Sequence, residues 1–190
     1  MRIGLIADTH MPGSIKTLWP EVFHLFEGVC GILHAGDLHT LEVVDQLSDI
    51  APTWVARGNG DRGLEDERLQ DSWLLDFGGL SVGMVHHFPT LENKPPEFLS
   101  EKMEKLFPHA PDLLVYGHTH RESIDQLNDT MLVNPGSPTL PRNQSLRPGT
   151  VGLLEISDND VVVNIYQLSS AGLAGVAVSM SSRLSKSAIL

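Results

Sequence analysis

Cysteine is almost absent: one residue, Cys30, in a chain of 190. No intramolecular disulfide can form, which fits a reducing compartment, and a lone thiol opening the apolar run "GVCGILHAGD" is expected to be buried and inert. Basic residues are scarce too. Thirteen Lys and Arg stand against 24 Asp and Glu, a net charge of -11 with neutral histidines. That argues against a general nucleic-acid or acidic-membrane binder, which needs a basic face. It leaves room for a small phosphorylated substrate, because bound divalent cations would reverse the field locally. Long apolar runs are missing. "MRIGLIADTH" enters a strand at once, with an acid at position 8 and no secretory hydrophobic region, and "AGLAGVAVSM" is too short to span a bilayer. These absences point to a cytoplasmic, soluble protein without a membrane partner. Aromatics are few, and Trp19, Trp54 and Trp73 are expected in the core or at its rim rather than as a base-stacking platform.

What is present reads as one domain. "RIGLIAD", "GILHAGD" and "TWVARGN" are short apolar runs ending in polar turns, consistent with buried parallel strands. Between them, a helix is expected over 20–27, with Pro20 in its first turn and Gly28 closing it, and a second over "TLEVVDQLSDI". "WLLDFGGLSVGMVHH" reads as two strands joined at Gly78-Gly79, "PPEFLSEKMEKLF" as a helix, and "DLLVYGH" as another strand. The rest is mostly β: "RESIDQL", "TMLVNPG", "TVGLLEIS" and "DVVVNIYQL". The pattern predicts an α/β fold of two mixed β-sheets packed as a sandwich and flanked by helices, over 1–168, with 169–190 a Ser/Ala/Gly-rich tail. There are no repeats, and the oligomeric state is open, a homo-oligomer among the options.

Chemistry collects at the strand ends. Asp8 and His10 lie in "ADTH", Asp37 in "HAGDLH", Asn59 in "RGNGD", His86 in "MVHHF", and His118 and His120 in "YGHTH". Ligand sites of open α/β sheets lie beyond the carboxyl ends of the strands, so five segments would deliver seven O and N donors to one edge. Seven are too many for one tetrahedral zinc. They suit two adjacent ions bridged by a carboxylate, roughly 3.5–4 Å apart, clamping the attacking and leaving oxygens of a phosphoryl displacement. Mixed His, Asp and Asn ligation favours Mn, Fe, Zn or Ni over Mg or Ca.

D-x-H, G-D, G-N-x-D, an isolated His after a strand, and G-H-x-H, in that order, resemble the calcineurin-like metallophosphoesterase superfamily over about residues 1–166. The short length and "VNPGSPTLPRN" resemble its small bacterial and archaeal phosphodiesterase branch. The resemblance implies that Asp8, His10 and His120 hold one ion and Asn59, His86 and His118 the other, with Asp37 bridging them. A hydroxide between the ions would attack phosphorus, and Asp61 would orient a neighbouring ligand. Phosphodiesters are the first expected substrates and phosphomonoesters the second. Manganese is the expected activating ion, with nickel, zinc and iron as alternatives. The small retromer subunit resembles this fold but works by protein contact with a degraded metal site, so a scaffold is the competing class; here no ligand position is missing. Two departures stand out. Larger members carry a His after the block's Asn, which assists the leaving group, where this chain has Gly60; aryl leaving groups should therefore be favoured over alkyl ones. Small members carry Gly where this chain has His87, which leaves His86 or His87 as the ligand.

Gly58, Gly60 and Gly63 in "VARGNGDRG" also match the spacing of a dinucleotide-binding loop. "LEDERLQ" is a poor copy of the helix start such a loop needs, so the glycines read better as the tight path that turns Asn59 inward. His34 and His39, flanking Gly36-Asp37, are expected behind or beside the ligands rather than as ligands. Asn134 and Ser137 are turn formers or site residues, and Arg142 is a phosphate contact or a plain surface residue. Specificity is expected in loops 62–72 and 88–97.

Overall fold

The computed structural model describes residues 1–144, 146–158, 160–169 and 172–183. Among the described residues, twelve strands form two sheets. The larger takes β1 (Arg2–Ile6), β2 (Gly31–His34), β3 (Thr53–Ala56), β4 (Leu69–Gln70), β10 (Thr150–Ile156), β11 (Asp160–Ser169) and β12 (Gly172–Arg183), ordered β12-β11-β10-β1-β2-β3-β4. The smaller takes β5 (Ser72–Phe77), β6 (Leu80–Val85), β7 (Leu113–Val115), β8 (Ser123–Leu127) and β9 (Thr130–Asn134), ordered β5-β6-β7-β9-β8. Both are mixed, as predicted. β1 to β4 run parallel and β10 to β12 antiparallel, while in the smaller sheet β6, β7 and β9 run parallel between antiparallel edges. The sheets do not divide the chain into halves, because β10 returns to pair with β1.

The apolar runs follow from burial on both faces. In β1, Ile3 and Leu5 enter the core between the sheets, with Leu33, Val82, Met84, Val115 and Val163. Ile6 points the other way, beneath α1 (Pro20–Leu25) and α2 (Glu42–Ser48), with Phe26, Val44 and Leu47. Each Leu, Ile or Phe buried this way contributes roughly 1.5–3 kcal/mol. On the far side α3 (Pro96–Leu106) lays Leu99 and Met103 against Leu114, Tyr116 and Leu132. The result is helix, sheet, sheet, helix.

Three local expectations change. Helix α1 has Pro at its start as expected but ends at Leu25, with Phe26 as C-cap and Gly28 in the left-handed region beyond. Cys30 is exposed rather than buried: it precedes β2, and its N–H donates to the Arg2 carbonyl at 2.7 Å. The segment from 169 on supplies β12, which pairs with β11 and packs Val178 and Met180 on the inter-sheet core; the end of the expected tail, 184–190, lies outside the described residues. Among the described residues, no helix is long and apolar enough to cross a membrane.

Candidate metal centre

The loops after β1, β2 and β3 of one sheet and β6 and β7 of the other meet at a single edge. Backbone bonds join them: Asp8 N–H to the Gly36 carbonyl at 2.9 Å, His10 N–H to the Asp37 carbonyl at 3.0 Å, and Gly117 N–H to the His86 carbonyl at 2.9 Å. The His118 N–H donates to the Asp8 carboxylate at 2.9 Å. All seven predicted donors are brought together here.

Their atoms face one another closely. His10 Nε2 lies 3.0 Å from His120 Nε2, and His120 Nε2 lies 3.7 Å from Asp8 Oδ1. Asn59 Oδ1 lies 3.2 Å from His86 Nε2 and 3.1 Å from His118 Nδ1. Asp37 stands between the two groups, with Oδ2 3.6 Å from His10 Nε2 and Oδ1 3.6 Å from His86 Nε2. Two of the ring tautomers are fixed from behind by backbone carbonyls. His86 Nδ1–H donates to the Ala35 carbonyl and His120 Nδ1–H to the Leu140 carbonyl, both at 2.8 Å, which leaves each Nε2 lone pair aimed inward. These Nε2 lone pairs converge with the Asp8 and Asp37 carboxylates, a set of donor atoms that a cation satisfies.

The electrostatics agree. Burial first, then the charge of Asp37, raises Asp8 well above the usual carboxylate range. Burial first, then His120, lowers His10 to about 4, and burial also lowers His118 and His120. Burial thus favours the neutral form of His10, His118 and His120, and a divalent cation would reverse the penalty on Asp8.

The backbone is bent to the same end. Asp8, His10, Asp37, His39, His118 and His120 all take positive φ, between 48° and 71°. Such conformations cost on the order of 1–3 kcal/mol each and persist only where the surroundings over-determine them. Asp61 is one determinant. Fully buried, it accepts Leu38 N–H (2.7 Å) and His39 N–H (2.9 Å) on Oδ1, and Asp37 N–H (2.9 Å) and Gly58 N–H (2.8 Å) on Oδ2. These bonds hold the Asp37 loop. Gly58 is the close approach that allows this, since a Cβ there would overlap Asp37 itself.

His86 points inward and is buried, whereas His87 is exposed, its ring edge-on to His118 at 4.6 Å. His34 is fully buried: its Nδ1 accepts Gly36 N–H at 3.1 Å and its Nε2 meets Thr9 Oγ1 at 3.2 Å, tying the β1 loop to the β2 loop. Asn134 donates to the Gly117 carbonyl at 2.9 Å and Ser137 to the Asp8 carbonyl at 2.7 Å, so both brace ligand loops. Arg142 is exposed and paired with Glu122 at 3.2 Å, though its N–H holds the His120 carbonyl at 2.7 Å. Thr139, unforeseen, donates to the Thr9 carbonyl at 2.9 Å; the only signal was a run of small polar residues, "GSPT", between buried strands. Beside Thr119 lies a hollow of about 230 Å³, lined by Thr90, Glu92, Asn93, Arg121 and Asp125, partly from the 88–97 loop.

A helix-flanked double sheet that pools imidazoles, carboxylates and an amide at the strand ends defines a metal-binding α/β protein of the phosphoesterase type. The chain belongs to the calcineurin-like phosphoesterase superfamily, whose domain model matches residues 1–159. It is 37% identical over 146 residues to a probable metallophosphoesterase of Methanothermobacter thermautotrophicus, covering 75% of this chain and 80% of that one. A phosphodiesterase of Methanocaldococcus jannaschii is 26% identical over 145 residues, 72% of this chain and 83% of its own. The structure of Vacuolar Protein Sorting 29 from Cryptosporidium parvum matches with a TM-score of 0.78 at 22% identity, over 97% of this chain and 98% of that one. At that identity the likeness speaks for the fold alone.

Proposed function

We propose that this chain is a dinuclear metal-dependent phosphoesterase that hydrolyses phosphodiesters first and phosphomonoesters second, in the cytoplasm and with manganese. The observation that carries this reading is the place of Asp37, whose two oxygens face different histidines at the same distance, 3.6 Å. Asp8, His10 and His120 would hold one ion and Asn59, His86 and His118 the other, with Asp37 shared. Bound divalent cations would activate water and neutralise charge on the phosphoryl oxygens. The chain's own residues supply the rest. The Ala35 and Leu140 carbonyls fix the His86 and His120 tautomers. Asp61 holds the loop that presents Asp37, and the Gly60 N–H donates to Asp37 Oδ1 at 2.7 Å, orienting that carboxylate. The named activity of the Methanocaldococcus jannaschii relative supports the diester preference.

The likeness to Vacuolar Protein Sorting 29 favours a second reading, a protein-interaction scaffold. The complete ligand set weighs against it. The test is direct: strip the protein of metal, add Mn²⁺, Ni²⁺, Zn²⁺ or Mg²⁺ separately, and assay a diaryl and a monoaryl phosphate. Turnover restored best by Mn²⁺ and abolished in Asp37→Asn and His118→Ala supports the enzyme. Absence of turnover with every ion, or its survival in both variants, refutes it.

A further inference from the structure

One imidazole at this edge has no task in the reading above. His39 is exposed, and among the described residues neither of its ring nitrogens has a hydrogen-bond partner. It is nevertheless held in place. Its backbone takes φ 69°, its N–H donates to Asp61 Oδ1 at 2.9 Å, and its ring stands edge-on to His10 with centroids 4.5 Å apart. The ring occupies the space in front of Gly60: a Cβ at position 60 would collide with His39 Nε2 and Cδ2. The missing side chain at Gly60 is therefore not an empty place but the room in which His39 sits, its Nε2–Cδ2 edge against Gly60 and a ring nitrogen within 4.8 Å of ligand atoms of His10 and Asp37.

Resting on the phosphoesterase reading, we infer that His39 is a further catalytic residue, donating a hydrogen bond from its imidazole N–H to the leaving-group oxygen of the ester. The direction follows from burial. Asp37, at the floor, is 3% exposed, whereas Asn59, Gly60, His118 and His39 form the open rim. In an in-line displacement the nucleophile and the leaving oxygen lie on opposite sides of phosphorus. Attack from the floor sends the leaving oxygen to the rim, where His39 stands. The oxygen of hydroxide forms the new bond to phosphorus as the bond to the leaving oxygen breaks. That bond's electron pair stays on the leaving oxygen, which takes its proton from water, while the His39 N–H bond steadies the growing charge. On this inference His39 supplies part of the help that alkyl leaving groups lack from position 60.

The experiment compares wild type, His39→Ala, Gly60→Ala and the double variant, each loaded with Mn²⁺. The substrates are phosphodiesters whose leaving groups run from nitrophenol to a simple alcohol. Removing a donor aimed at developing charge should lower kcat by on the order of 100-fold for the alcohol, but only about threefold for nitrophenol, whose oxygen needs little help. Gly60→Ala, by displacing the ring, should reproduce that selectivity, and the double variant should lose no more than either single one. Two readouts do not depend on turnover. Bound metal per chain should be unchanged in His39→Ala, and inorganic phosphate should bind the loaded variant about 2- to 10-fold more weakly, the worth of one hydrogen bond. Equal loss for all leaving groups, no loss, loss of bound metal (which would make His39 a ligand), or additive losses in the double variant would each overturn the inference. Wild type inactive on every ester would instead refute the phosphoesterase reading, and phosphate binding would still report on His39.

Discussion

Asp61→Ala removes a single buried carboxylate and orphans four backbone N–H groups, those of Asp37, Leu38, His39 and Gly58. A hydrogen bond to a charged acceptor contributes about 1.5–3 kcal/mol. Four that share one acceptor are not independent, so their sum overstates the effect. A loss of roughly 3–5 kcal/mol is the expectation, in line with breaking a buried charged network. For a chain of this size each kcal/mol moves Tm by about 2–4 °C, so Tm should fall by roughly 6–20 °C. Asp61→Asn retains one oxygen and sets an NH₂ group against the other pair of donors, so its fall should be smaller but in the same direction. The second consequence is at the centre. The loop that presents Asp37 loses its anchor, and divalent-metal affinity should drop by about 10- to 100-fold, as for other residues that orient ligands. Thermal unfolding followed by circular dichroism, with and without a chelator, and a Mn²⁺ titration measure both. An Asp61→Ala variant that melts within about 2 °C of wild type would refute the reasoning, because four buried donors would then have cost almost nothing to orphan.

Other outcomes follow from the same geometry. His34, fully buried, is lowered to about 4 chiefly by desolvation, against 6.5 when unperturbed. Between those values the unfolded chain binds a proton that the folded chain refuses, so this residue's contribution falls as pH drops from about 6.5 to about 4. Chelated wild type should lose stability relative to His34→Gln across that window; a flat or opposite difference contradicts the assignment. His86→Ala should lower bound metal per chain, while His87→Ala, on an exposed ring, should leave it unchanged, and metal analysis after dialysis checks the pair. Adding Mn²⁺ to about 100 times its Kd should stabilise chelated protein by roughly 2.7 kcal/mol per site, a Tm rise that Asp37→Asn should largely remove.

The site was readable in the sequence because parallel strands leave their carboxyl ends on one edge, so polar residues ending "IAD", "HAGD" and "ARGN" had one place to meet. The buried faces of β1 explain why the same runs also announced the fold. What escaped depends on partners distant in the chain. β12 has the weak strand propensity of "GLAGVAVSMSSR"; pairing with β11 and burial of Val178 and Met180 decide its state, and the alternation in "VAVSMS" was its one local sign. Cys30 looked buried because its neighbours in sequence are, but it precedes the first paired residue of β2. The inward turn of His86 rather than His87 is set by a bond to Ala35, 51 residues earlier. The link from His34 to Thr9 spans 25 residues, and no local pattern encodes either contact.

The central claim is that residues from the loops after five strands enclose a pair of cations shared by Asp37. Crystals grown with Mn²⁺ and measured for anomalous scattering test it most directly. The account predicts two peaks, roughly 3.5–4 Å apart, with the Asp37 carboxylate between them. One peak alone, or peaks remote from Asp37, would contradict it.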